Sequence, residues 1–166
     1  DIDPVKRAYV SSQFGIRAFE TIDDMFEEVE HIDVVAICTP NGLHKEHAVS
    51  CLNANAHVIC EKPMALHSND CQEMIDCAKE RRRHLFVVKQ NRFNPPIVKL
   101  KEAIDRNKFG KILSVQLNCF WNRGEDYYIN DSWKGTKLLD GGALYTQFSH
   151  FLDLLFRTII FWIIIF

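Results

Sequence analysis

Glycine and proline are sparse in this 166-residue sequence, with seven and five copies, and neither sign of charge is in excess. Twenty lysines and arginines against 22 aspartates and glutamates leave a formal net charge of -2. Such a balance offers no electrostatic footprint for nucleic acid or an anionic membrane surface, and neither is expected as a partner. The one basic cluster, Lys79 with Arg81, Arg82 and Arg83, suits a solvated helix end. No apolar run reaches the roughly 20 residues of a spanning helix. The opening Asp1-Ile2-Asp3-Pro4 lacks the basic-then-apolar order of a secretory leader. The six cysteines form no C-x-x-C pair and no cystine framework. Several stand among aliphatic residues, as in Ile37-Cys38 and Val58-Ile59-Cys60, and are expected to be reduced core thiols of a cytoplasmic protein. His44 and His47 make an H-x-x-H pair on which no other ligand converges, so no metal site is expected.

What remains is the composition of a globular protein, 47% hydrophobic and 25% charged, in a length that suits one domain and part of another. Asp33 to Cys38 is apolar without alternation, as in a parallel strand covered on both faces, and it ends at the breakers Thr39-Pro40-Asn41-Gly42. Ala48, Val49, Cys51 and Leu52 then recur at helical spacing. His57 to Cys60 is a second buried strand, closed by Glu61-Lys62-Pro63. Ser68 is placed to cap a helix with an inner stripe of Cys71, Met74, Ile75 and Ala78, and Leu85 to Val88 makes a third strand. This order predicts an α/β fold, a doubly wound parallel sheet with its strand carboxyl ends along one edge. Ligands of such sheets bind beyond that edge, where Thr39, Lys62 and Gln90 fall.

After Pro95-Pro96, which starts a helix with Val98, Leu100, Ala103 and Ile104 in its stripe, the pattern changes. Leu113, Val115, Leu117 and Cys119 alternate with Ser114, Gln116 and Asn118, the period of an antiparallel strand. The expected organisation is a Rossmann-type domain over 1–110, then the start of an α+β domain with a mainly antiparallel sheet over 111–166. A doubly wound dinucleotide domain should open with a strand, a G-x-G-x-x-G turn and a helix, and that motif is absent. The first βα unit, on the order of 30 residues, is therefore expected to be missing, leaving Asp1 as the acid that ends the second strand and bonds the adenine ribose. An acid in that role favours NAD over NADP. The aliphatic stretch from Ile159 to Phe166 suggests a truncated or altered end.

Ile37-Cys38-Thr39-Pro40-Asn41-x-x-His44, Glu61-Lys62-Pro63 and Asp140-Gly141-Gly142 with Ser149-His150 and Asp153 together resemble the Gfo/Idh/MocA oxidoreductases, over Asp1 to about Leu155. Lys89 to Pro95, Trp121-x-Arg123, Tyr127-Tyr128, Trp133-Lys134-Gly135-Thr136 and Asp140 to Ala143 are similar to members that oxidise the 3-hydroxyl of UDP-N-acetylglucosaminuronate for surface polysaccharides. The resemblance implies NAD-dependent hydride transfer from a sugar hydroxyl. It implies that Lys62 stabilises the developing alkoxide and that His150 accepts the proton, both touching the substrate. A cis Lys62–Pro63 peptide follows from the same likeness, as does a homo-oligomer when the protein is full length. Thr39, Asn41, His44, Glu61, Lys62 and Gln90 would line the cofactor, although turn and cap chemistry explains Asn41 and His44 equally well. Trp133 either covers the nicotinamide or plugs a domain interface. Arg123 and Lys134 either pair with substrate carboxylate or phosphate groups or are surface charge. Thr146 stands where the family commonly has aspartate and this subgroup asparagine, so its part in substrate binding is open. The competing readings are a catalytically silent fragment or nucleotide-binding module, and a dehydrogenase of free sugars or inositol.

Overall fold

The computed structural model describes residues 1–129 and 132–160, leaving out the side chains of 159 and 160. The chain divides into two compact units. The first is Asp1–Thr39, Leu43–Cys60 and His67–Phe86; the second is Pro40–Gly42, Glu61–Leu66 and Val87–Phe166.

In the first unit Asp3 caps α1 (Pro4–Phe14) by accepting from the Val5 and Lys6 amides, with Pro4 in the first turn where no amide is needed. Gly15, at φ 65, ends that helix in the left-handed region. Thr21 and Asp24 form a reciprocal capping box at the start of α2 (Ile22–Glu28). Strand β1 (Val34–Ile37) pairs in parallel with β2 (His57–Cys60), Val34 opposite His57 and Ile37 opposite Cys60. Strand β3 (Leu85–Val87) completes the order β1-β2-β3, and the Val58 amide donates to the His84 carbonyl at 2.9 Å. Helix α3 (His44–Asn53) packs on β1 and β2, and α4 (Ser68–Glu80) packs on α3. Ile37, Ala48, Cys51, Leu52, Val58, Cys60, Met74 and Ala78 form the buried core between them.

The strands are covered on one face, not both. Val34 is 49% and Phe86 57% exposed, and Ile59 shares their face. Crossovers of one hand send successive helices to the same side of a sheet, which accounts for the difference. Cys38, just beyond β1, is exposed and is no core thiol, whereas Cys51 and Cys60 are buried. Ser68 is the first residue of α4 and not its cap; His67 holds that position without a side-chain bond. Ile75 turns outward from the α4 stripe.

In the second unit, α5 (Pro95–Asp105) starts on its two prolines as expected and buries Ile104, while Val98 and Leu100 are exposed. The segment 112–120 pairs with no strand among the described residues. A period of two specifies which side chains share a face but supplies no hydrogen-bonding neighbour, and Leu113 and Phe120 are exposed. Helix α6 (Asp126–Ile129) is a single turn. Helix α7 (Ser149–Leu155) runs between two π-helical turns, Leu144–Phe148 and Phe156–Ile160. The aliphatic tail 161–166 lies outside the described residues, as do 130 and 131. No helix among the described residues is long and apolar enough to cross a membrane.

Candidate functional site

Three segments of the second unit meet through backbone that tolerates little side-chain bulk. The Gly42 amide donates to the Leu139 carbonyl at 2.9 Å, and a Cβ at Gly42 would collide with the Leu138 carbonyl oxygen. Beside it, the buried Asn41 side chain donates from Nδ2 to the Asp140 carbonyl at 2.9 Å. Gly141 and Gly142 follow at φ 80 and 90, in a region that favours glycine, and a Cβ at Gly141 would collide with Leu66 Cδ2. Pro40–Gly42, Glu61–Leu66 and the turn around Asp140 are thereby locked together. Asp140 is itself buried, and its carboxylate accepts from the Gly135 amide at 3.1 Å.

On this frame the Lys62 side chain is half-buried and donates from Nζ to the Thr146 carbonyl at 2.8 Å. The Lys62–Pro63 peptide is cis. Burial pushes the Lys62 ammonium below its usual pKa; Glu61 and Asp140 act against that, while Lys89 and Arg123 add to it. Glu61 also accepts the Lys62 backbone amide at 3.1 Å. One helical turn beyond Thr146 stands His150, only 5% exposed, whose Nδ1 is buried without a hydrogen-bond partner. Burial lowers the His150 pKa, the charges of Lys62 and Lys89 lower it further, and Glu61 and Asp153 oppose them. The Lys62 charge thus disfavours the protonated form of the His150 imidazole.

Arg123 lies over the rings of Trp121 and Tyr127, at 4.4 and 4.8 Å from their centroids, and reaches Gln147 Oε1 at 3.3 Å. Its Nε is buried without a partner. Lys134 stands over Tyr127 at 4.3 Å. Both cations lie over aromatic rings. The Trp133 carbonyl accepts from the Thr136 hydroxyl at 2.7 Å, and Gln90 is exposed at the start of the turn after β3. Thr146 is buried and its hydroxyl donates to the Gly142 carbonyl at 3.1 Å, so it braces the turn that presents its own carbonyl to Lys62.

Thr39 and His44 belong to the first unit, where buried His44 donates from Nε2 to the Thr39 carbonyl at 2.9 Å. The Thr39 hydroxyl bonds His47 Nδ1 at 2.9 Å, a role for His47 that only its H-x-x-H spacing had flagged. Asp1 is exposed and accepts the Asp3 amide at 2.9 Å. Among the described residues no cluster of three or more His, Cys, Asp or Glu could hold a metal. A cavity of about 300 Å³ in the first unit, lined in part by Ile32, Asn55 and Arg83, lies at the amino ends of the strands and contains none of the chosen residues. Arg92 and Asp153 form an ion pair that the spacing of the two residues in sequence does not announce.

Residues 1–89 match the family model "Oxidoreductase family, NAD-binding Rossmann fold", and 97–158 match the GFO/IDH/MocA C-terminal domain. The crystal structure of the WlbA dehydrogenase from Chromobacterium violaceum, in complex with NADH and UDP-GlcNAcA, is 41% identical with a TM-score of 0.90, over 96% of this chain and 46% of that one. The Bordetella pertussis WlbA dehydrogenase, also in complex with NADH and UDP-GlcNAcA, is 37% identical with a TM-score of 0.91, over the same 96% and 46%. A 1-carboxy-3-chloro-3,4-dihydroxycyclohexa-1,5-diene dehydrogenase of Comamonas testosteroni is 30% identical over 93% of this chain and 38% of its own. The chain thus spans less than half the length of these relatives. It belongs to the Gfo/Idh/MocA oxidoreductase family.

Proposed function

We propose that this member of the family serves an NAD-dependent dehydrogenase that oxidises the 3-hydroxyl of UDP-N-acetylglucosaminuronate. The observation that carries the reading is the Lys62–Thr146–His150 arrangement, in which a half-buried ammonium is anchored one helical turn from a buried imidazole with an unpartnered Nδ1. The likeness to two dehydrogenases described with NADH and UDP-GlcNAcA supports the choice of cofactor and substrate. We place the domain boundary at residue 110 and the substrate domain after it. Self-association of the complete protein through that domain belongs to the same proposal.

The donor set fits a nicotinamide dinucleotide and an alcohol. Three buried polar atoms without a hydrogen-bond partner, Arg123 Nε, Ser149 Oγ and His150 Nδ1, belong with Lys62 to the second unit, and Lys62 acts electrostatically on His150 as Arg123 does on Lys62. The bound nicotinamide would take up the hydride. In our assignment Thr39, Asn41, His44, Glu61, Lys62, Gln90 and Trp133 contact the dinucleotide, with Asp1 at the ribose. Lys62 stabilises negative charge on the reacting oxygen as its proton leaves, and neutral His150 accepts that proton. Arg123 and Lys134 take the anionic groups of the sugar nucleotide, and Thr146 holds the Lys62 ammonium in register.

Nicotinamide fluorescence of NADH titrated into the protein, followed by NADH production from NAD and UDP-N-acetylglucosaminuronate, tests the reading. Binding and turnover are expected, with Lys62→Met reducing turnover about a hundredfold or more while the protein stays folded. Turnover with free sugars or inositol alone would redirect the substrate assignment. Binding without oxidation of any sugar would leave a nucleotide-binding module, and undiminished turnover in Lys62→Met would remove Lys62 from the chemistry.

A further inference from the structure

Helix α7 carries His150, and the Lys62 bond to the Thr146 carbonyl holds the turn before it. Its seven residues are the α-helical middle of one helical stretch, 144–160, with a π-helical turn adjoining each end. A π turn accommodates one more residue than an α turn, so it changes the direction in which later side chains leave the axis. The orientation of His150 therefore depends on what else grips α7. The grip is on Asp153, one turn further along. Arg92, in the 3₁₀ turn Gln90–Phe93 after β3, donates from Nε to Asp153 Oδ2 at 2.7 Å and from Nη2 to Asp153 Oδ1. Two parallel bonds between planar groups fix an angle as well as a distance, which a single ammonium contact does not.

We infer that Arg92 and Asp153 are positioning residues for His150, a two-pronged clamp that sets the rotation of α7 and the charge beside the imidazole. The inference rests on the reading of His150 as the proton acceptor. The groups acting on that imidazole are Lys62, Lys89 and Glu61 from the neighbouring segments and Asp153 from its own helix. Burial pushes the Asp153 carboxyl up, but its bond to Arg92, with the charges of Arg92, Lys89 and Arg157, holds it below its ordinary range. Asp153 is thus an anion whose effect on His150 is offset by Arg92. Removing either partner leaves the other's charge uncompensated, with opposite consequences.

The test is an NMR titration of the His150 ring in the intact protein, its resonance assigned by loss in His150→Gln, together with kcat against pH. Asp153→Asn is expected to lower the His150 midpoint and Arg92→Gln to raise it, each by about half a unit or more. Arg92→Lys keeps the charge and loses the fork. It should leave the midpoint in place yet lower kcat about tenfold with KM for NAD little changed. Circular dichroism checks folding; if Asp153→Asn fails to fold, the two Arg92 variants still decide. Midpoints that stay put or move together, or wild-type kcat in Arg92→Lys, overturn the clamp. A kcat indifferent to His150→Gln, with the midpoints moving as stated, would instead retire the reading of His150 and leave the charge coupling standing.

Discussion

Gly42 shows how little room the site allows a single residue. Its Cα faces the Leu138 carbonyl oxygen so closely that a methyl group needs the backbone at 138–139 to retreat, and backbone held by the Gly42–Leu139 hydrogen bond retreats poorly. Gly42→Ala should cost about 1–3 kcal/mol, the range of forced overpacking, and should loosen the bond from Asn41 to the Asp140 carbonyl. Gly124 has open space around it, so Gly124→Ala should stay within about 0.5 kcal/mol. Urea denaturation of the two variants checks the contrast, and equal stabilities would discount the close approach. The residues proposed for the chemistry stand out in sequence as a tripeptide and a spacing: Glu61-Lys62-Pro63 at a strand end points to Lys62, and the Gly-Gly-to-His interval points to His150. Their supports do not. Nothing in the letters Thr146 announces that its backbone carbonyl takes the Lys62 ammonium, because that bond joins residues 84 positions apart and uses no side chain of Thr146. The ring contacts of Arg123 with Trp121 and Tyr127 escaped for a related reason, since an arginine's spacing does not reveal which aromatic faces it will meet.

Among the elements, those whose partners adjoin them in sequence were the easiest to read. Strands β1, β2 and β3 with α3 and α4 follow from apolar runs bounded by breakers, and their parallel register buries Ile37, Val58 and Cys60 against the helical side. Leu52 on α3 is fully buried there, so Leu52→Ala should lower stability by about 2–5 kcal/mol, read as a shift in the urea midpoint. A shift under about 1 kcal/mol would mean that the core between α3 and the sheet is not closely packed. The opposite case is 112–120, where alternation was visible and a strand did not form. Pattern describes one ribbon, whereas a strand is a relation between two. Hydrogen exchange should separate the cases: amides of 112–120 exchange quickly, while the Val58 amide, bonded to the His84 carbonyl, is protected. Comparable protection in both would show that 112–120 has found a ladder partner. The π turns around α7 were illegible as well, since no residue type specifies them, and they place the burden of orienting His150 on the Arg92–Asp153 contact.

Across the whole molecule, titratable groups half-buried in the first unit and buried in the second give stability one direction of pH dependence. His47 lies in the first unit and His150 in the second, and burial is the leading cause of a lowered pKa in each. His44 adds to the lowering at His47 against Glu46; Lys62 and Lys89 add to it at His150. In the unfolded chain both imidazoles return toward the ordinary value of 6.5. Below that pH, and down to the folded values, the unfolded state binds more protons than the folded one, so stability falls as pH falls through this window. The depressed carboxyl of Asp153 follows the same rule lower down, its contribution present above its ordinary 3.8 and lost as pH drops through the folded value. Acid should therefore weaken the protein in two stages, the histidines first and Asp153 later. Equilibrium denaturation at half-unit steps from neutral pH toward acid reads the first stage, and His47→Gln and His150→Gln should each flatten it, whatever they cost in stability at neutral pH. Stability that stays level through the histidine window, or a slope that survives in the double variant, would mean that neither imidazole is held neutral by burial. Neutral His150 as proton acceptor would then lose its electrostatic basis, and the proposed division of labour with Lys62 would go with it.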